Sequence, residues 1–193
     1  MTFTVANHLH KNVSSENTLD RKATRDGFGA GLLMIGKKNK RVMALSADVA
    51  ESTRAHLFAE AFPERFVQVG VAEQNLVTVA SGLAAEGNIP FACAFGAFSP
   101  GRNWEQIRTT ICYNDQPVVI VGTHTGLSVG EDGATHQILE DIAIMRALPN
   151  MRVIVPADFL EAQRATMALA RDAHPSYLRL SRDKSPLFTT TKT

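Results

Sequence analysis

Two rhythms of apolar residues alternate along this chain. RKATRDGFGAGLLMIGKKN places Phe28, Leu32, Leu33 and Ile35 on one helical stripe and ends on Lys37 and Lys38, cations suited to the negative end of a helix dipole. RVMALSAD then reads as a short buried strand, and STRAHLFAEAF as a helix capped by Ser52 or Thr53 and stopped by Pro63. RFVQVG is the next strand, and VAEQNLVTVASGLAAEG a helix rich in small residues that ends at Gly87. PFACAF, PVVIVGTH, MRVIVPAD and SYLRLSR continue the strands; PVVIVGTH, a β-branched run after a proline, is the clearest of them. GRNWEQIRTTICYN, HQILEDIAIMRALPN (closed by Pro149) and DFLEAQRATMALARDA supply the helices between.

Strands alternating with helices of roughly 10–17 residues require right-handed βαβ crossovers and hence a parallel sheet covered on both faces. The pattern therefore predicts an α/β fold: a doubly wound, mostly parallel six-stranded sheet with helices on both faces. No repeat or Gly/Ser linker divides the chain. Residues 21–185 read as one domain, residues 1–20 as a flexible arm, and residues 186–193 as a loose C-terminal tail. Ligands in such sheets sit beyond the carboxyl ends of the strands. That directs attention to SADVAES, GVAEQ, AFGAFSPGR, GTHTGLSVGEDGATH, PAD and SRDKS.

Composition narrows the classes. The 193 residues carry 20 basic and 19 acidic side chains, and this balance gives no electrostatic reason to expect nucleic acid. At 45% hydrophobic and 20% charged, the chain can bury a full core, and no apolar run approaches the length of a membrane span. The first twenty residues lack a signal-peptide core, and Cys93 and Cys112 stand alone in their segments, with neither a CxxC pair nor a disulfide framework. The expected setting is the cytoplasm.

The strand ends hold the chemistry. GTHTGLSVGEDGATHQ is a long loop with four glycines, His124, Asp132 and His136. Loops of this length in a compact domain are functional or disordered, and the two histidines lack the i, i+4 spacing of a helical metal site. Glu73 opens a helix, where an acid can simply complement the dipole. Phe95 and Phe98 sit at a strand end, where they could stack on a flat heterocycle or pack under the next helix. Arg25, Arg102 and Arg182 each lie near an element end, in place either for oxyanion recognition or as ordinary surface charge.

Taken together, the segments narrow these alternatives. In order, ATRxxFG, SADxxxST, FPxRFxxVGVAEQN, FAxFxxxR, QIR, GEDGATHQ and MRALPNMxVxxPAD resemble the transketolase family, in its pyrimidine-binding domain, from about Arg21 to Arg182. The resemblance is greatest to the separately encoded C-terminal half of split transketolases. It implies thiamine diphosphate as cofactor, with Glu73 hydrogen-bonded to N1′ of the aminopyrimidine ring and Phe95 and Phe98 against that ring. It assigns Asp132 to a substrate hydroxyl, His136 to the donor's carbonyl oxygen as a proton-handling group, and His124, Arg25, Ser52 and Arg182 to a sugar phosphate. Arg102 is carried over as a substrate-binding residue on looser spacing.

One motif is missing. No GDG followed by paired asparagines occurs, so the diphosphate and its magnesium are expected to be held by a partner chain, the N-terminal transketolase half. The family usually carries a third domain soon after the position of Arg182, and a subunit lacking it is the expectation. The expected assembly is a homodimer or a heterotetramer with that partner, acting on sugar phosphates by two-carbon ketol transfer. A 1-deoxyxylulose-5-phosphate synthase-like domain is the second enzymatic reading; MRALPNM and QILEDIA favour transketolase over it. Pyruvate-dehydrogenase-type β subunits share AEQ but are not expected to carry GEDGATHQ. A non-catalytic assembly or regulatory module of the same fold is the reading from a different class.

Overall fold

The computed structural model describes residues 9–15 and 18–191. The main sheet contains β2 (Val42–Ser46), β3 (Phe66–Gln68), β4 (Ile89–Phe95), β5 (Val119–Thr123), β6 (Arg152–Ile154) and β7 (Ser176–Arg179), every neighbouring pair parallel, in the spatial order β3-β2-β4-β5-β7-β6. A separate antiparallel ribbon joins β1 (Arg21–Ala23) to β8 (Lys184–Pro186). The doubly wound six-stranded sheet expected from the pattern is thus present, with β1 and β8 as an addition.

Both faces of the sheet are dry, which is why its strands read as continuous apolar runs. On β4, Phe91 and Cys93 face one core with Phe28, Leu32 and Ile35 of α1 (Thr24–Lys38) and Phe58 of α3 (His56–Ala61). Ala92 and Ala94 face the other core, with Leu76, Val77 and Ala80 of α4 (Glu73–Ala85), Ile107, Ile111 and Met145. Cys93 and Cys112 are buried free thiols. Burial raises both, Cys112 to about 11, so neither is poised as a nucleophile. Among the described residues no helix is long and apolar enough to cross a membrane.

Several elements differ from the sequence expectation. The helix expected over STRAHLFAEAF is two: α2 (Ala50–Thr53) ends at Arg54, whose backbone is left-handed (φ 71°), and α3 begins after Ala55. Neither Ser52 nor Thr53 is an N-cap; the Thr53 hydroxyl donates back to Val49 O at 2.9 Å. The helix expected from Gly101 to Asn114 is α5 (Trp104–Gln106) followed by a π-helical segment, Ile107–Cys112. Thr109 and Thr110 hydroxyls donate to Glu105 O (3.0 Å) and Gln106 O (2.6 Å), competing with backbone donors for those carbonyls as the turns widen. His136–Glu140 stay outside α6 (Asp141–Arg146), because Ile138 is held in a bridge to Gly126.

The C-terminal segment is pinned where the sequence suggests a loose tail. Thr189 is buried, and its backbone N–H and hydroxyl both donate to Asp158, which also caps α7 (Phe159–Leu169) by accepting from Glu161 N. Of the expected arm, residues 1–8, 16 and 17 lie outside the described residues. Its described part pairs with this segment, Leu9 bridging Thr189 and His10 N donating to Phe188 O at 2.7 Å.

Candidate active site

The strand order places the candidate segments side by side. Phe95 pairs with Thr123 across β4 and β5, and Gly122 pairs with Arg179 across β5 and β7, so the chain leaves three adjacent strands along one edge. Glu73 reaches this edge from the turn after β3, and Arg25 from the first turn of α1.

From these positions a run of contacts extends across the edge. Arg102 Nη1 donates to both carboxylate oxygens of Glu73, at 3.2 Å each, while its guanidinium carbon lies 4.2 Å from the centre of the Phe98 ring. Phe98 lies 6.2 Å from Phe95 and 5.1 Å, edge-on, from His136; Phe95 is 6.1 Å from His136 and 4.2 Å from His124. Arg25 closes the run, its Nη1 3.1 Å from His124 Nε2 and donating to Ser52 O at 3.0 Å. The pieces proposed for a flat ring and those proposed for an anionic end are therefore contiguous.

Glu73 is buried, at 5% exposure, yet beside it opens a cleft of about 750 Å³ lined also by Val71, Gln74, Asn75, Thr78, Arg102 and Gln106. The start of the Glu73 helix is anchored by Asn103, itself fully buried, which donates from Nδ2 to the Glu73 backbone carbonyl (2.8 Å) and to Ser99 Oγ (3.0 Å). Asn103 escaped the sequence reading. Its only local signal, a polar residue just before Trp104, resembles an ordinary helix cap.

His124 is the most perturbed base. Arginine cannot accept, so Arg25 donates to Nε2 and the proton sits on Nδ1, donated to Thr123 Oγ1 at 2.9 Å. Burial, then the neighbouring Arg25 and Arg182 charges, lower its pKa to about 4. The native imidazole is therefore neutral at pH 7. Because the folded value lies below the unfolded one of about 6.5, its contribution to stability is complete above pH 6.5. It is lost as pH falls toward 4. An NMR titration of the ring nitrogens is expected to find His124 uncharged down to about pH 5, with Nδ1 carrying the proton; a midpoint near 6.5 would contradict the arrangement.

Other candidates sit as follows. Ser52 meets Arg25 through its backbone carbonyl rather than its hydroxyl. Arg182 donates to Val129 O and pairs with Glu131 at 3.0 Å, packed so closely over Gly130 (φ 87°) that a Cβ there would strike the guanidinium. Asp132 is exposed and begins a 3₁₀ turn whose Thr135 hydroxyl donates back to the Asp132 carbonyl and also meets His136 Nδ1 at 2.8 Å. Arg102 stands with Glu73 and Phe98, away from Arg25 and His124.

A flat, N–H-bearing group fits between Glu73 and Phe98. The Arg102 guanidinium does so, stacked on the phenyl ring and hydrogen-bonded to the carboxylate.

Comparison with known proteins identifies the family. Residues 20–186 match the family described as transketolase, pyrimidine binding domain. A Methanocaldococcus jannaschii protein named for a transketolase C-terminal section is 48% identical over 161 residues, covering 83% of this chain and 51% of that one. The 6-deoxy-6-sulfo-D-fructose transketolase subunit of Clostridium sp. (strain MSTE9) is 36% identical over 167 residues, covering 86% and 52%. A solved split gene transketolase, an inactive beta4 tetramer, superposes with a TM-score of 0.74 at 45% identity, covering 83% and 51%. The chain thus spans about half the length of these relatives. By that match across the whole sheet, the chain belongs to the transketolase family, as its pyrimidine-binding domain.

Proposed function

We propose that this chain is the pyrimidine-side subunit of a thiamine-diphosphate-dependent transketolase that moves a two-carbon ketol unit between sugar phosphates. The observation that carries the reading is the run of contacts from Glu73 through Arg102, Phe98, His136 and Phe95 to His124 and Arg25. When bound, the cofactor supplies the electron sink that such transfers need. This chain's residues do the rest. Glu73 holds a proton at the ring nitrogen N1′, and Phe98 and Phe95 keep the ring flat and water away from it. His136, edge-on to both phenyl rings, takes or gives a proton at the sugar's carbonyl oxygen, and Asp132 accepts from a hydroxyl. Arg25, Arg182 and Ser52 bind the anionic end, with the neutral His124 ring accepting from Arg25 and holding its guanidinium there.

The diphosphate and magnesium fall to a second polypeptide, the N-terminal half, in a cytoplasmic complex of two copies of each chain. Two relatives support the division into separate polypeptides, one a split gene transketolase described as an inactive beta4 tetramer and one a transketolase subunit. The test is to assemble this chain with a polypeptide bearing the diphosphate-binding domain and to assay ketol transfer with thiamine diphosphate, magnesium and a ketose phosphate. Transfer is expected only when both chains are present. A well-formed complex without transfer would favour the non-catalytic module.

A further inference from the structure

We infer that Arg102 is an internal competitor for the pyrimidine site, a guanidinium that covers Glu73 and Phe98 and must swing out before a ring can take its place. The inference rests on the function proposed above and adds a regulatory element to the same site.

The geometry gives three reasons. First, Arg102 engages both ring-binding groups at once, with Nη1 3.2 Å from each Glu73 oxygen and the guanidinium carbon 4.2 Å from the Phe98 centroid. A pyrimidine hydrogen-bonded to Glu73 and stacked on Phe98 would occupy the same volume. Second, the two occupants need opposite forms of the carboxyl group. A guanidinium has only donors and pairs with a carboxylate, whereas a ring nitrogen that accepts needs the protonated acid. They cannot share Glu73. Third, one side is fixed and the other can move. The Glu73 side chain is 6% exposed and its helix start is anchored by Asn103, whereas the Arg102 side chain is 53% exposed. Arg102 also borders the 750 Å³ cleft, which gives its side chain open space to move into. Among the described residues no other group hydrogen-bonds the Glu73 carboxylate. The pair thus keeps a buried charge compensated until the ring arrives.

The expected consequence is tighter binding when the competitor is removed. Thiamine diphosphate affinity would be measured by calorimetry, with magnesium, on the two-chain complex containing wild-type chain, Arg102→Met or Arg102→Gln. The dissociation constant is expected to fall about fivefold in both variants, the worth of one half-exposed ion pair. The free chain provides a second readout. Ligand-observed NMR with 4-amino-5-hydroxymethyl-2-methylpyrimidine, which carries no diphosphate, should show stronger binding to both variants than to wild type. Unchanged or weaker binding of both probes to both variants overturns the inference and makes Arg102 a supporting contact for the ring. A wild-type complex that binds no thiamine diphosphate would instead sink the proposed function, while the pyrimidine probe would still decide the Arg102 question.

Discussion

Glu73→Gln is expected to cut ketol-transfer turnover of the assembled enzyme by about 10²–10⁴-fold, the usual contribution of a positioned proton-handling group. The substitution keeps length and shape and removes only the ability to ionise and to hold a proton at the ring nitrogen. The fold should tolerate it, because Asn103 grips the Glu73 backbone carbonyl rather than its side chain. Arg102 loses its ion pair but keeps its place over Phe98, with half of its side chain in solvent. Single-turnover kinetics on the two-chain complex, alongside circular dichroism and urea unfolding of the variant chain, separate chemistry from folding. Turnover equal to wild type would remove Glu73 from the mechanism. Lost helical signal would shift the cause to structure.

The order of strands and helices was legible because each face of the sheet leaves a periodic trace. Phe91 and Cys93 against Ala92 and Ala94 encode two cores in one strand, and Phe28, Leu32 and Ile35 encode one side of α1. The site residues were legible as a set only through family motifs, since Glu73, Phe95, His124 and Arg25 come from different strand ends and no local spacing links them. What stayed hidden depends on long-range partners. The Thr189–Asp158 contact that fixes the C-terminal segment spans 31 positions, and the Glu73–Arg102 pair spans 29. The π-helical turns after Trp104 were equally hidden, because they depend on where threonine hydroxyls find acceptors rather than on the apolar stripe.

Asp141→Ala is expected to cost about 3–5 kcal/mol of folding stability, the range for removing one partner of a buried ion pair. Asp141 is fully buried at the start of α6, and its Oδ2 accepts from Tyr177 Oη at 2.9 Å and from Arg179 Nε at 2.8 Å. Tyr177 and Arg179 alternate on β7 and so face the same side, and Gly122 on the neighbouring strand leaves room for the phenol, since a Cβ there would collide with it. Burial, reinforced by Asp141, pushes the phenol well above its ordinary range, so Tyr177 remains a donor. Alanine strands that donor and leaves Arg179, only 20% exposed, without its counter-charge. The network also underlies the glycine-rich loop after β5. Leu180, next to Arg179, accepts from both the backbone N–H and the hydroxyl of Thr125, the residue after His124, while Asp141 follows directly on the segment bearing His136. Urea unfolding followed by the single tryptophan, Trp104, measures the loss. The double variant Asp141→Leu with Arg179→Met should recover the part due to the stranded charge, leaving only the cost of the unpaired Tyr177 hydroxyl. If the single variant unfolds at the wild-type urea midpoint, the ion pair does not hold this loop. If the double variant is as weak as the single one, packing rather than charge is what Asp141 supplies.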